Sequence, residues 1–70
     1  MSQVTRQIIA NNVKFLREKA CLKREELSLA LGFDNSYISK LEKCRVNITI
    51  DKLELIAKYF NVNTKDLLDL

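Results

Sequence analysis

Four times along the chain an apolar residue, a capping position, three further residues and a second apolar residue follow one another. They read Leu22-Lys23…Leu27, Phe33-Asp34…Ile38, Ile48-Thr49…Leu53 and Val62-Asn63…Leu67. In such a hydrophobic staple the residue before the cap packs on the fourth helical position and fixes the angle at which the chain enters the helix. Asp34, Thr49 and Asn63 are predicted N-caps, since their side-chain oxygens can accept orphan amide hydrogens. Lys23 cannot; there Glu25 and Glu26 favour a helix start through the dipole. With the N-terminal stretch, the pattern predicts helices over about 4–19, 23–31, 34–43, 50–60 and 64–69. One apolar stripe runs through Ile9, Val13, Leu16 and Ala20 of the first. Leu27, Ala30 and Leu31, then Ile38 and Leu41, then Leu53, Ile56, Ala57 and Phe60, and finally Leu67, supply the facing surfaces. The expectation is an all-α, compact five-helix domain spanning residues 1–70.

Between the second and third helices stand only Gly32 and Phe33. A helix ending at Leu31 needs a left-handed residue next, and Gly takes that conformation without steric cost. Two short helices joined so tightly must cross steeply, as in a helix-turn-helix, here about 23–43. Ser28 is small enough for a close approach. Spacing alone does not separate this reading from an ordinary helical corner. The third helix does. At about 100° per residue, Asn35, Ser36, Ser39, Lys40 and Lys43 share an arc of roughly 140°, opposite Tyr37, Ile38 and Leu41. That arc carries hydroxyls, an amide and ammonium groups without an acid, a set able to donate to base edges and phosphates in a major groove. Arg24 and Arg45 flank it, where phosphates would lie.

A second face emerges on the fourth helix. Leu55 and Tyr59 point away from the core stripe, among Asp51, Glu54 and Lys58. Leu68 and Leu70 follow, although only Leu67 serves the staple. These four residues are a candidate self-complementary patch for a two-fold dimer, within a dimerisation part at about 48–70.

Composition narrows the chemistry. The chain has one Gly, no Pro and no His, is 47% apolar and 30% charged, and carries a net charge of +3. That is neither disordered nor loop-rich. Residues 1–50 hold nine basic and five acidic side chains; residues 51–70 hold three and four. A basic body with a slightly acidic end suits a polyanion on one side. No apolar run reaches the ~18 residues of a membrane span, and the N-terminus lacks a signal-peptide pattern, so the cytoplasm is expected. Without His, a CxxC spacing or a glycine-rich loop there is no metal site, imidazole base or phosphate cradle. Glu25 and Glu26 are adjacent and diverge around a helix. Cys21 and Cys44 read as inert small residues. The chain therefore reads as a binding protein and not an enzyme, with no catalytic residue, cofactor, metal or small-molecule ligand expected.

Three segments together resemble a known family: Leu22-Lys23-Arg24-Glu25-Glu26-Leu27-Ser28, Gly32-Phe33-Asp34-Asn35-Ser36-Tyr37-Ile38-Ser39-Lys40-Leu41-Glu42 and Leu53-Glu54-Leu55-Ile56-Ala57. They are similar to the lambda-repressor-like helix-turn-helix regulators, the Cro/C1 or Xre type, from about Val13 to Leu68. Within that family Asp34-Asn35-Ser36-Tyr37-Ile38-Ser39 and Asn47-Ile48-Thr49-Ile50 look most like the controller proteins of restriction–modification systems. The resemblance implies base contacts by Asn35, Ser36, Ser39 and Lys40, and backbone contacts by Arg24, Tyr37, Lys43 and Asn47. It makes Glu42 a structural acid, with Arg17 its candidate partner. The family often has Gly where this chain has Cys21 and Cys44. Read from the residues alone, Tyr37 could instead cover the core edge and Asn47 cap a turn. The implied function is a sequence-specific, homodimeric transcription regulator on a pseudo-palindromic operator, a controller of restriction–modification gene expression. Its partners would be double-stranded DNA and a second copy, with RNA polymerase a further candidate. The alternatives are a phage-type repressor or an antitoxin-like protein-interaction module.

Overall fold

The Ser2 hydroxyl accepts the amide of Thr5 at 3.1 Å and opens α1, Gln3–Lys19. The structure, a computed structural model, describes residues 1–69, and Leu70 of the expected dimer patch lies outside them. Three more α-helices follow: α2 (Arg24–Ala30), α3 (Tyr37–Glu42) and α4 (Ile50–Tyr59). The fifth expected helix is instead a 3-10 turn, Thr64–Leu68, so the described residues hold four α-helices and not five. The 3-10 form is the tighter winding that proteins use in short pieces such as this one. The turn still begins at Asn63, whose amide donates to the Asp66 carboxylate at 3.1 Å.

All four helices stop in the same way. The residue after the last turn is left-handed: Cys21 (φ 58°), Gly32 (φ 77°), Cys44 (φ 60°) and Asn61 (φ 56°). The following amide reaches back five residues, Leu22 to Arg17, Phe33 to Ser28, Arg45 to Lys40 and Val62 to Ala57, at 2.9–3.1 Å. These are Schellman motifs, which satisfy the last orphan carbonyls. The two cysteines thus take the conformation that glycine would take more easily, at a cost of roughly 1–2 kcal/mol each. A Cβ on Gly32 would meet nothing within 4 Å, so glycine is favoured there for its φ and not for close approach. Leu22 and Val62 each complete one stop and begin the next staple, while Phe33 completes a stop ahead of the turn before α3; all three pack against the core. That double use is why the element boundaries are so tightly coupled to the apolar pattern.

The core gathers Ile9, Val13, Leu27, Ile38, Leu41, Ile48, Leu53, Ile56, Ala57 and Leu67. Two expected core residues, Ala20 and Ala30, are exposed. Ala20 caps α1, outside its stripe, and Ala30 ends α2 on the outer side. Helix α1 lies against α3 and against the 3-10 turn, α2 packs on α3, and α4 packs on the 3-10 turn. The Asn12 amide donates to the carbonyls of Leu67 and Asp69, at 2.9 and 2.7 Å, and ties the C-terminal end to α1. Among the described residues no helix is long and apolar enough to cross a membrane.

Candidate nucleic-acid interface

Helix α3 starts three residues later than the pattern predicts. Asp34 does not cap it. The Tyr37 amide donates to the Asp34 backbone carbonyl at 3.0 Å, so residues 34–36 form a turn. Ser36 holds the N-cap position without a side-chain bond. The cap comes from another helix: the buried Ser28 hydroxyl accepts the Ile38 amide at 3.0 Å and donates to the Arg24 carbonyl at 2.9 Å. Ser28 therefore pins α2 to the start of α3, beyond simply permitting close approach.

This correction changes the geometry of the expected readout set. Asn35 (exposed) and Ser36 (half-buried) stand on the turn at the N-terminal mouth of α3, not on its wheel. Ser39 (half-buried) and Lys40 (exposed) follow in the helix, and Lys43 and Arg45 are exposed beyond it. In a helix-turn-helix the N-terminal residues of the second helix are those that meet base edges. Asp34 is the exposed acid of the same turn.

Glu42, in contrast, turns inward. Its side chain is only 5% exposed and receives Arg17 Nε at 2.7 Å, Arg17 Nη2 at 3.2 Å and Arg24 Nε at 2.9 Å. Arg17, equally buried, also donates through Nη1 to the Leu22 carbonyl at 2.8 Å. A buried carboxylate is tolerated when hydrogen-bonded and paired, and here one carboxylate serves two guanidiniums. The result at the surface is that α3 shows donors and cations, its own acid being hidden. Arg24 is half exposed and held at Nε only by this contact, which leaves its outer nitrogens for another acceptor.

Tyr37 is half-buried, its ring set edge-on to Phe33 with centroids 4.8 Å apart. Lys52 of α4 lies over both rings, 4.4 Å from the Tyr37 centroid and 5.4 Å from that of Phe33. Burial pushes the phenol pKa up from its usual value, further from neutral pH, where the hydroxyl is in any case protonated and can donate. Tyr37 thus has the core-edge position expected of its alternative reading, with a polar tip. Asn47 is exposed, and its Oδ1 accepts Arg6 Nε at 3.0 Å and also Arg6 Nη2. Arg6 and Lys52 escape sequence reasoning, because each meets its partner across a long stretch of chain.

On α4 and the 3-10 turn, Leu55, Tyr59 and Leu68 are each a little under half exposed. Leu55 lines a shallow hollow with Asp51, Glu54 and Lys58, and the Tyr59 ring meets Phe60 edge-on, centroids 5.1 Å apart. Ile50, on the same helix, is more exposed than either.

A family model described as Helix-turn-helix matches residues 13–67. The chain is 31% identical over 70 residues to Control protein C.BamHI of Bacillus amyloliquefaciens, covering 99% of this chain and 86% of that protein. It is 32% identical over 63 residues to Control protein C.SmaI of Serratia marcescens, covering 90% and 75%. Among solved structures it is similar to the hypothetical transcription factor NHTF from Neisseria, with a TM-score of 0.88 and 31% identity over 93% of this chain and 75% of that one.

Proposed function

The chain belongs to the helix-turn-helix family, and on that premise we propose that it is a homodimeric, sequence-specific DNA-binding regulator of transcription. The observation that carries this reading is the outer surface of α3, which offers donors and cations while its one carboxylate is turned inward onto two arginines. Helix α3 enters the major groove. Asn35, Ser36, Ser39 and Lys40 meet base edges there, and Arg24, Tyr37, Lys43, Arg45 and Asn47 meet phosphates. The segment at about 48–70 joins two copies through Leu55, Tyr59 and Leu68. The two recognition helices then face half-sites about one turn apart, ~34–36 Å, on a pseudo-palindrome.

Two relatives at about this level of identity are named control proteins, which supports a controller of restriction–modification genes over a phage-type repressor. Bound beside a promoter, the dimer meets RNA polymerase as a third partner. Selection of binding sequences from a pool of random duplexes tests the reading. Enrichment of inverted half-sites one turn apart is expected. No enrichment at any salt concentration would favour a protein-interaction module instead.

A further inference from the structure

The α1 side of the interface carries a residue that neither the sequence pattern nor the helix-turn-helix accounts for. Arg6 lies on the second turn of α1, yet its guanidinium reaches the loop between α3 and α4 and grips Asn47 Oδ1 through Nε, at 3.0 Å, and Nη2. An arginine can only donate. The amide end it holds must therefore be the oxygen, and the other end, the Nδ2–H2 group, is turned away from it. A phosphate oxygen can only accept from such a group. The side chain assigned a backbone contact thus has its donor end turned away from Arg6 before any DNA arrives.

We propose that Arg6 is a positioning residue of the DNA interface: it fixes the amide of Asn47 in the one orientation that can donate to a phosphate. The inference rests on the DNA-binding reading given above. Its energetic logic is preorganisation. A free asparagine would lose rotamer freedom on binding and would spend part of its time presenting its oxygen to the phosphate. Asn47 is exposed and Arg6 half-buried, and a hydrogen bond so close to solvent contributes little to folding. Arg6→Lys keeps the charge, and hence the long-range attraction, but its point-like ammonium cannot grip one oxygen with two nitrogens of a fixed fork.

Nuclear spin relaxation of the Asn47 side-chain amide in the free protein reads the lock without DNA. Titration of a mixed-sequence duplex with wild type, Arg6→Lys, Asn47→Ala and the double variant reads its consequence. In wild type the amide is expected to be ordered, and in Arg6→Lys mobile, with the thermal midpoint unchanged. Arg6→Lys and Asn47→Ala should each weaken duplex binding about five- to a hundred-fold, the loss of one hydrogen bond in each of two half-sites. The double variant should be no weaker than Asn47→Ala, because the lock has nothing left to hold. The salt dependence of Arg6→Lys should match wild type. Wild-type affinity in Arg6→Lys, or multiplied losses in the double variant, would overturn the proposal while leaving DNA binding intact. An ordered amide in a wild-type protein that binds no duplex would overturn the DNA-binding reading, and the assigned role with it.

Discussion

The corner formed by α2 and α3 and the end formed by α4 and the 3-10 turn are built on opposite principles. Helices α2 and α3 have seven and six residues, well below the length at which a helix stands alone in water. Besides the core contacts of Leu27, Ile38 and Leu41, they are held by polar contacts from outside themselves: Ser28 caps α3 from α2, and Glu42 ties α3 to Arg17 of α1 and Arg24 of α2. Helix α4 is longer, caps itself through the Thr49 hydroxyl on the Lys52 amide at 3.2 Å, and leaves Leu55 and Tyr59 partly in water. Polar bonds are directional and fix geometry closely, which suits a surface that must match base edges. Apolar contact is non-directional and scales with area, which suits self-association. Under the proposed function, the contrast would put the reading of DNA at one end and pairing at the other.

The comparison breaks first at Glu42. If the corner depends on its buried carboxylate, Glu42→Ala leaves Arg17 charged, buried and without its carboxylate. The expected loss is about 3–5 kcal/mol in urea unfolding, a large share of what a domain of this size has. A loss below about 1 kcal/mol would mean that packing alone holds the corner. The other end breaks by charge. Leu55→Glu should repel its symmetry mate and give a folded monomer, with binding to a two-half-site duplex about a hundred-fold weaker or more once the second contact ceases to be intramolecular. Sedimentation at micromolar concentration reads the monomer directly, and a persistent dimer would place the interface elsewhere. A smaller effect sharpens the difference between the ends. Ser28→Ala strands the buried Ile38 amide and should cost about 1–3 kcal/mol. Its cost should appear in hydrogen exchange of α3 before that of α4.

How much of this was legible beforehand follows from which contacts are local. The staples at Leu22, Ile48 and Val62 are read from neighbours in sequence, and Leu22, Phe33 and Val62 complete the preceding helix stops, so helix order and most core residues follow from the pattern. Asp34 misled because α3 is capped from ten residues away by Ser28, and no local pattern encodes that. The left-handed cysteines ran against conformational preference; only the hydrogen-bonded stops around them explain why they persist. The pairing of Arg17 with Glu42 was anticipated through family resemblance, whereas the addition of Arg24 to the same carboxylate was not. Arg6 on Asn47 and Lys52 on Tyr37 join residues far apart in the chain or on different helices, and only the folded geometry brings them together. The 3-10 turn matches the predicted position of the last helix while differing in its winding, because a staple marks where a helix starts and says nothing of how tightly it turns.

The claim that the α3 surface meets DNA is tested most directly by the salt dependence of duplex binding, wild type against Lys43→Ala. Fluorescence anisotropy over about 50 to 200 mM salt gives the slope of log affinity against log salt. Lys43 is exposed beyond α3, so its removal should leave folding intact. A dimer loses two phosphate contacts per substitution, and the slope should become shallower by roughly 2 units, with binding to all sequences weakened alike. A wild-type slope in the Lys43→Ala protein, or binding indifferent to salt in both, would contradict the account.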